Sequence, residues 1–339
     1  MNDAHIEKLN RLWQRGRDFL GSDVAIMAGA MSWISERHLV SAISNAGGFG
    51  VIACGSMMPD QLGPEIEATQ ALTDKPFGVN LITMHPELDA LIDVCLEKNV
   101  SHVVLAGGIP QKVSIDKIKA AGAKVMCFAP ALALAKRMIK QGADALIIEG
   151  AEAGGHIGPV ATSVLAQEIL PHITDVPVFI AGGIGRGESI VSYLEMGASG
   201  VQLGTRFVCA DECIAHENFK KAFIRANARD AIPTVQIDPR FPVIPVRALV
   251  NEGTKEFMET QRRVIERFNA GKVDMKEAQL EIEHFWAGAL RRAVIEGDVE
   301  NGSLMAGQSV GLVKAAQPVA AIIKELVDEA LTQLETRGA

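Results

Sequence analysis

The chain has 339 residues, 48% of them hydrophobic, and a formal net charge of -8. That length can bury a large core and suits one barrel-sized domain with an appendage, without requiring a second full domain. The acidic balance and the lack of any basic run argue against nucleic acid as the main partner, and an acidic carrier protein would have to meet a local basic patch.

The N-terminus contains Asp3 and Glu7 and no uninterrupted apolar stretch before Leu20, so Ile6 to Phe19 reads as an amphipathic helix rather than a secretory signal. No membrane span is predicted. Eight apolar runs follow: Val24 to Ala30, Phe49 to Gly55, Phe77 to Thr83, His102 to Gly108, Lys124 to Ala131, Ala145 to Gly150, Pro177 to Gly183 and Gly200 to Phe207. None alternates in polarity, as expected of parallel strands buried on both faces. Between them Ser35 to Ala46, Pro59 to Leu72, Pro86 to Lys98 and Ala131 to Gln141 carry apolar residues at helical spacing, and glycines such as Gly47, Gly122, Gly142 and Gly197 close such segments. Eight strand-helix repeats predict a closed (β/α)8 barrel, with a doubly wound open sheet as the alternative.

From about Ile214 to Glu300 the sequence turns helical and charged, broken by a proline-rich stretch from Pro233 to Pro245. An insertion leaving the eighth strand can fold over the barrel mouth as a lid. The expected division is a barrel over residues 1–213, a mostly helical lid over 214–300, and a return segment over 301–339. That segment ends in an amphipathic helix, Pro318 to Leu334, completing the outer ring. Apolar faces between Pro233 and Phe285 fit either a lid or a homodimer interface. Five dispersed cysteines, Cys54, Cys95, Cys127, Cys209 and Cys213, lack zinc-site spacing, although the last two could share a helical face. An odd, scattered set points to reduced thiols and a cytoplasmic protein.

Two glycine turns, Ala181-Gly182-Gly183-Ile184-Gly185 and Gly204-Thr205-Arg206-Phe207, each end an apolar run one βα unit apart. Backbone N–H groups of such turns bind a phosphate dianion, so a phosphorylated cofactor or substrate is expected. His156 follows the sixth strand in Gly154-Gly155-His156 and is the expected acid or base at the mouth, against a simple loop hydrogen bond. Asn80, ending the third strand, reads equally as a ligand contact or an Asx turn. Glu149 and Glu152 could form a carboxylate pair, with Glu149 the better ligand contact. The glycine-flanked Met305 to Gln308 segment fits a loop against a ligand, or a linker.

Glu152-Ala153-Gly154-Gly155-His156-Ile157-Gly158, Ala181-Gly182-Gly183-Ile184 and Gly204-Thr205-Arg206-Phe207 together resemble the nitronate monooxygenase (2-nitropropane dioxygenase) superfamily of FMN-dependent barrels. Gly297-Asp298-Val299, Gly302-Ser303, Met305-Ala306-Gly307-Gln308 and Gly311-Leu312-Val313 look most like its flavin enoyl-ACP reductases of type II. The resemblance covers nearly the whole chain. It implies FMN phosphate at Gly182, Gly183, Gly204 and Thr205, with Ala181 also binding the cofactor, isoalloxazine or ribityl contacts from Asn80 and Glu149, and a loop lying against the flavin at Gly154 and Gly155. It also implies that Met305 and Gln308 close over the ring and that Gly29, Ala30 and Met31 end the first strand beneath it. Ala30 stands where the family has a second glycine, adding a methyl group there.

The same resemblance implies two chemistries on one cradle. In one, NADH or NADPH supplies hydride, by way of FMN, to the β-carbon of a trans-2-enoyl thioester, a small molecule or one carried by acyl carrier protein, with His156 as acid. In the other, an alkyl nitronate is oxidised with O2. The reductase is slightly preferred on the Met305 loop and Gly302-Ser303. From the residues alone, a non-redox lyase or isomerase of a sugar phosphate and a non-catalytic flavin-binding protein also stay open.

Overall fold

A computed structural model of the chain describes residues 3–238, 240–241 and 245–338. Within the proline-rich stretch from Pro233 to Pro245, residue 239 and residues 242–244 lie outside the described residues.

Eight parallel strands form one sheet: β1 (Ile26–Ala28), β2 (Gly50–Ala53), β3 (Phe77–Ile82), β4 (His102–Ala106), β5 (Lys124–Phe128), β6 (Ala145–Glu149) and, after a short β7 (Gly155–His156) that belongs elsewhere, β8 (Val178–Ala181) and β9 (Gly200–Leu203). Their order is β1-β9-β8-β6-β5-β4-β3-β2, and a parallel bridge between Met27 and Phe49 brings the two ends together into a barrel. Each of the eight apolar runs contains one of these strands. The crossovers carry α2 (Arg37–Asn45), α3 (Pro59–Gln70), α4 (Leu88–Glu97), α5 (Lys112–Ala120), α6 (Leu132–Gln141), α7 (Thr162–Ile169) and α8 (Gly187–Glu195), preceded by α1 (Asp3–Leu20).

Strand alternation sorts the side chains into two apolar layers. Outward residues such as Val79, Leu81, Val103, Leu146 and Ile180 pack against the helices. Inward residues Met27, Val51, Val104, Met126, Ile147, Phe179 and Ala181 fill the barrel. Small residues oppose large ones here: a Cβ on Gly200 would meet the Phe179 ring at 2.7 Å, and one on Gly78 the Phe49 ring at 3.1 Å. The end of α1 stops the bottom of the barrel, where Leu20 and Phe19 join this interior cluster. There the buried His102 donates from Nε2 to the Phe19 carbonyl at 2.8 Å, its Nδ1 lies 2.9 Å from Ser101 Oγ, and Lys124 Nζ sits 4.8 Å from the Phe19 ring centre.

After β9 the chain forms α9 (Glu217–Arg225), whose Phe219 and Phe223 join the main core. The following region carries short strands besides its helices. It holds β10 (Ala231–Pro233) and β11 (Val246–Leu249) before the helices α10 (Glu252–Asn269) and α11 (Met275–Arg291), and β12 (Leu304–Met305) after them. These short strands form a second sheet in which β11 pairs antiparallel with β10, β12 and β7. Helices α10 and α11 bury their own small core, Phe257, Val264, Ala278 and Ile282 with Phe241 and Val246, and Met305 packs on its edge. The chain ends in α12 (Val319–Gly338) against α8 and α1.

All five cysteines are buried and free. Burial pushes the thiols of Cys54, Cys127 and Cys209 up to about 12 and that of Cys213 to about 11, so they act as small apolar side chains. Among the described residues no helix is long and apolar enough to cross a membrane.

Candidate active site

Five segments converge at the C-terminal ends of the barrel strands. The first follows β1. Gly29 N–H donates to the Leu203 carbonyl at 2.9 Å, joining the ends of β1 and β9, while Ser35 Oγ donates to the Gly29 carbonyl and accepts from Met31 N–H. Met31 Sδ lies 3.4 Å from where a Cβ on Gly204 would stand. The methyl group of Ala30 packs against the barrel-interior cluster, so the extra carbon is taken up by apolar neighbours.

The second and third segments are the glycine turns after β8 and β9. Gly182 and Gly183 have φ of 94° and 75°, a left-handed pair that other residues adopt only with strain. The N–H groups of Gly182, Gly183, Gly204 and Thr205 donate to no protein acceptor among the described residues. Four unclaimed donors thus stand at the ends of two adjacent strands, the kind of arrangement that can accept an anion. The start of the next helix is not part of it, because the Gly187 N–H donates to Glu329 Oε2 at 2.8 Å.

The fourth segment leaves β6. Its two carboxylates part company: Glu152 Oε2 accepts from both the N–H and Oγ1 of Thr162 at 2.8 Å, closing the start of α7. Glu149 stays behind at the strand end. The loop continues through Gly154, where a Cβ would stand 2.6 Å from the Ala306 carbonyl carbon and the Gly307 nitrogen, so only hydrogen fits. His156 is exposed on β7, opposite Val246, at the rim of the mouth.

The fifth segment is the return run from β12. Gly307 N–H donates to Thr205 Oγ1 and Gln308 N–H to the Glu152 carbonyl, both at 2.9 Å, spanning the β9 turn and the β6 loop. Met305 Sδ comes within 3.6 Å of a Cβ placed on Gly155. The segment is thus packed into the site and is no mere linker. The candidate residues from Gly29 to Met31, from Gly154 to His156, at the two glycine turns and from Met305 to Gln308 form one connected rim.

Inside this rim, alternation turns Asn80, Glu149 and Gln202 inward above the apolar barrel filling. Asn80 and Gln202 are buried, and none of the three side chains has a hydrogen-bond partner among the described residues. Glu149 is half-buried by surface area yet surrounded by protein, and burial alone pushes its carboxyl up to about 8. Their polar atoms are open to the barrel mouth rather than sealed in the protein, and each keeps its hydrogen-bonding capacity there.

Two residues at this site carry no role in the sequence reading. Gln202 is the one polar side chain in the Gly200–Leu203 strand, and that break in an apolar run was its signal. Arg247 in β11 is buried, with Nε donating to the Ala151 carbonyl at 2.9 Å and Nη1 to the Ala231 carbonyl at 2.5 Å, which anchors the β6 loop from behind. Burial holds its guanidinium below its ordinary value, partly offset by Glu152.

Comparison with known proteins fits this geometry. The profile of the nitronate monooxygenase family matches residues 15–91 and 87–329. The structure of FabK from Thermotoga maritima is 37% identical, with a TM-score of 0.85 over 96% of this chain and 98% of that one. The nitroalkane oxidase of Streptomyces ansochromogenes is 26% identical, with a TM-score of 0.77 over 95% of this chain and 99% of that one. A (3aS,4S,5R,7aS)-5-hydroxy-7a-methyl-1-oxo-octahydro-1H-indene-4-carboxyl-CoA dehydrogenase of Mycobacterium tuberculosis is 30% identical, covering 95% of this chain and 97% of its own. The chain therefore belongs to the nitronate monooxygenase family and is an enzyme of its FMN-dependent oxidoreductase kind.

Proposed function

We propose that the protein binds FMN at the barrel mouth and uses NADH or NADPH to reduce the double bond of an enoyl thioester. The observation that carries this reading is the whole-chain likeness to FabK, an enoyl-ACP reductase of type II, at 37% identity. The Mycobacterium relative, named for a carboxyl-CoA substrate, supports the same thioester class.

The site fits the cofactor. Gly182, Gly183, Gly204 and Thr205 offer four N–H donors for its phosphate, and Asn80, Glu149 and Gln202 offer inward polar groups for its ring and side chain. FMN bound there supplies two-electron hydride chemistry that no side chain of this chain can perform. The protein's own part is placement and proton handling. Gly154 and Gly155 let the β6 loop lie close to a flat ligand, Met305 and Gln308 cover it, and Arg247 keeps that loop in place. His156, at the rim, delivers a proton from its imidazole to the substrate α-carbon as the β-carbon is reduced. The thioester is carried by coenzyme A or acyl carrier protein, and the reduced, buried thiols suit a cytoplasmic enzyme.

The test is anaerobic: the flavin of the purified protein should bleach on adding NADH or NADPH, then recover its colour on adding a trans-2-enoyl-CoA. A second reading, oxidation of an alkyl nitronate, draws on the family profile and the nitroalkane oxidase likeness. Bleaching by a nitronate but by neither pyridine nucleotide would establish it instead. A colourless protein that takes up no FMN would return the cradle to a substrate phosphate.

A further inference from the structure

Of the three inward polar groups at the top of the barrel, Glu149 is the one that can ionise. It ends β6 beside Ala181 of β8, above Ile147 and Phe179 of the apolar filling. No protein donor reaches its carboxyl among the described residues, and no charged group acts on it. The titratable groups in the surrounding loops are engaged elsewhere or outlying: Glu152 is held by Thr162, Arg247 by two carbonyls, and His156 lies at the exposed rim. A carboxylate in such a place lacks the cation or N–H donors that would offset its desolvation, whereas a neutral carboxyl needs only one acceptor.

We infer that Glu149 enters the site as the neutral acid and donates a hydrogen bond from its carboxyl to an acceptor atom of the bound cofactor. This rests on the FMN reading above. It goes beyond it in giving the residue a protonation state and a direction of hydrogen bonding, and so a pH dependence of binding that none of the other contacts has. Burial pushing the group up to about 8 supports the same state at neutral pH. Ionisation would remove the donor and set a negative oxygen against the acceptor, so binding should be coupled to one proton.

The experiment follows FMN binding to the apoprotein by quenching of flavin fluorescence between pH 7 and pH 9, so that turnover plays no part. The wild-type dissociation constant should rise about tenfold from pH 7 to pH 9, as expected when only the protonated form binds. Glu149→Gln keeps a neutral donor of similar shape and should bind FMN at pH 7 within about threefold of wild type, with no such rise. Glu149→Leu, which has no donor, should bind weakly at both pH values. A flat wild-type profile, or a Glu149→Gln profile that climbs with wild type, would overturn the inference while leaving FMN as the cofactor. An apoprotein that binds no FMN at either pH would instead overturn the cofactor reading itself.

Discussion

The two ends of the barrel interior treat buried polar groups in opposite ways. At the bottom, His102 is capped on both ring nitrogens, by the Phe19 carbonyl and Ser101, and the end of α1 seals it from solvent. At the top, Glu149, Asn80 and Gln202 occupy the same inward positions with no protein partner among the described residues. A group satisfied by the chain contributes to stability, while a group left unsatisfied keeps its hydrogen-bonding capacity for a ligand. The floor is thus satisfied by the chain itself, while the mouth keeps open hydrogen-bonding capacity.

The two ends should also respond to pH with opposite sign. Burial pulls His102 down to about 4 from an ordinary 6.5, so its contribution is complete above 6.5 and is lost as pH falls towards 4. Glu149 rises from 4.5 to about 8, so its contribution is complete below 4.5 and is lost as pH rises towards 8.

If the mouth is a binding device, damage to the cradle should abolish cofactor binding without unfolding the barrel. Gly183→Val places a branched side chain at φ 75° with its Cβ 3.0 Å from that of Glu152. The purified variant should be colourless, with circular dichroism unchanged; a full flavin complement would remove Gly183 from the cradle. His156→Ala should keep its flavin and lose about two to four orders of magnitude in turnover, the usual worth of a positioned acid or base. Full activity would take His156 out of the mechanism.

Substitution at the floor should do the reverse. His102→Ala should cost about 2–4 kcal/mol in urea unfolding, from lost hydrogen bonds and an interior cavity, with FMN affinity unaltered. A change in affinity as large as the change in stability would show that the two ends are coupled. The smallest effect is a gain: Glu149→Gln should stabilise the apoprotein by about 1–3 kcal/mol at pH 8 and by little at pH 4.5, because it removes the ionisation that burial opposes. Equal stability of variant and wild type across that range would place the carboxylate in water.

Legibility in the sequence followed the range of the interactions. The eight barrel strands could be read directly, because a strand buried on both faces is apolar at every position whatever its neighbours are. The glycine turns were equally plain, since a left-handed φ at Gly182 and Gly183 is a local demand. The sheet of β7, β10, β11 and β12 was not visible. Its strands are two to four residues long, and β11 pairs with β10 along one edge and with His156 and then Met305 along the other, partners far apart in the chain. So short a run has no periodicity to detect.

Among the site residues the same division holds. Sequence context was enough to bring forward Gly154, Gly155 and His156, Thr205 and the Met305 to Gln308 run, because glycines beside polar residues at strand ends are a local pattern. It favoured Glu149 over Glu152 as a ligand contact without giving the partner that sets them apart. That difference rests on Thr162, which captures one carboxylate and leaves the other facing the barrel mouth. Nor could it single out Gln202, whose inward direction follows from the register of β9 in the barrel, or Arg247, which grips a loop nearly a hundred residues earlier. The residues alone specify which groups could bind or ionise; packing decides which of them the protein satisfies and which remain for a ligand, because hydrogen-bond partners and desolvation are properties of the folded neighbourhood.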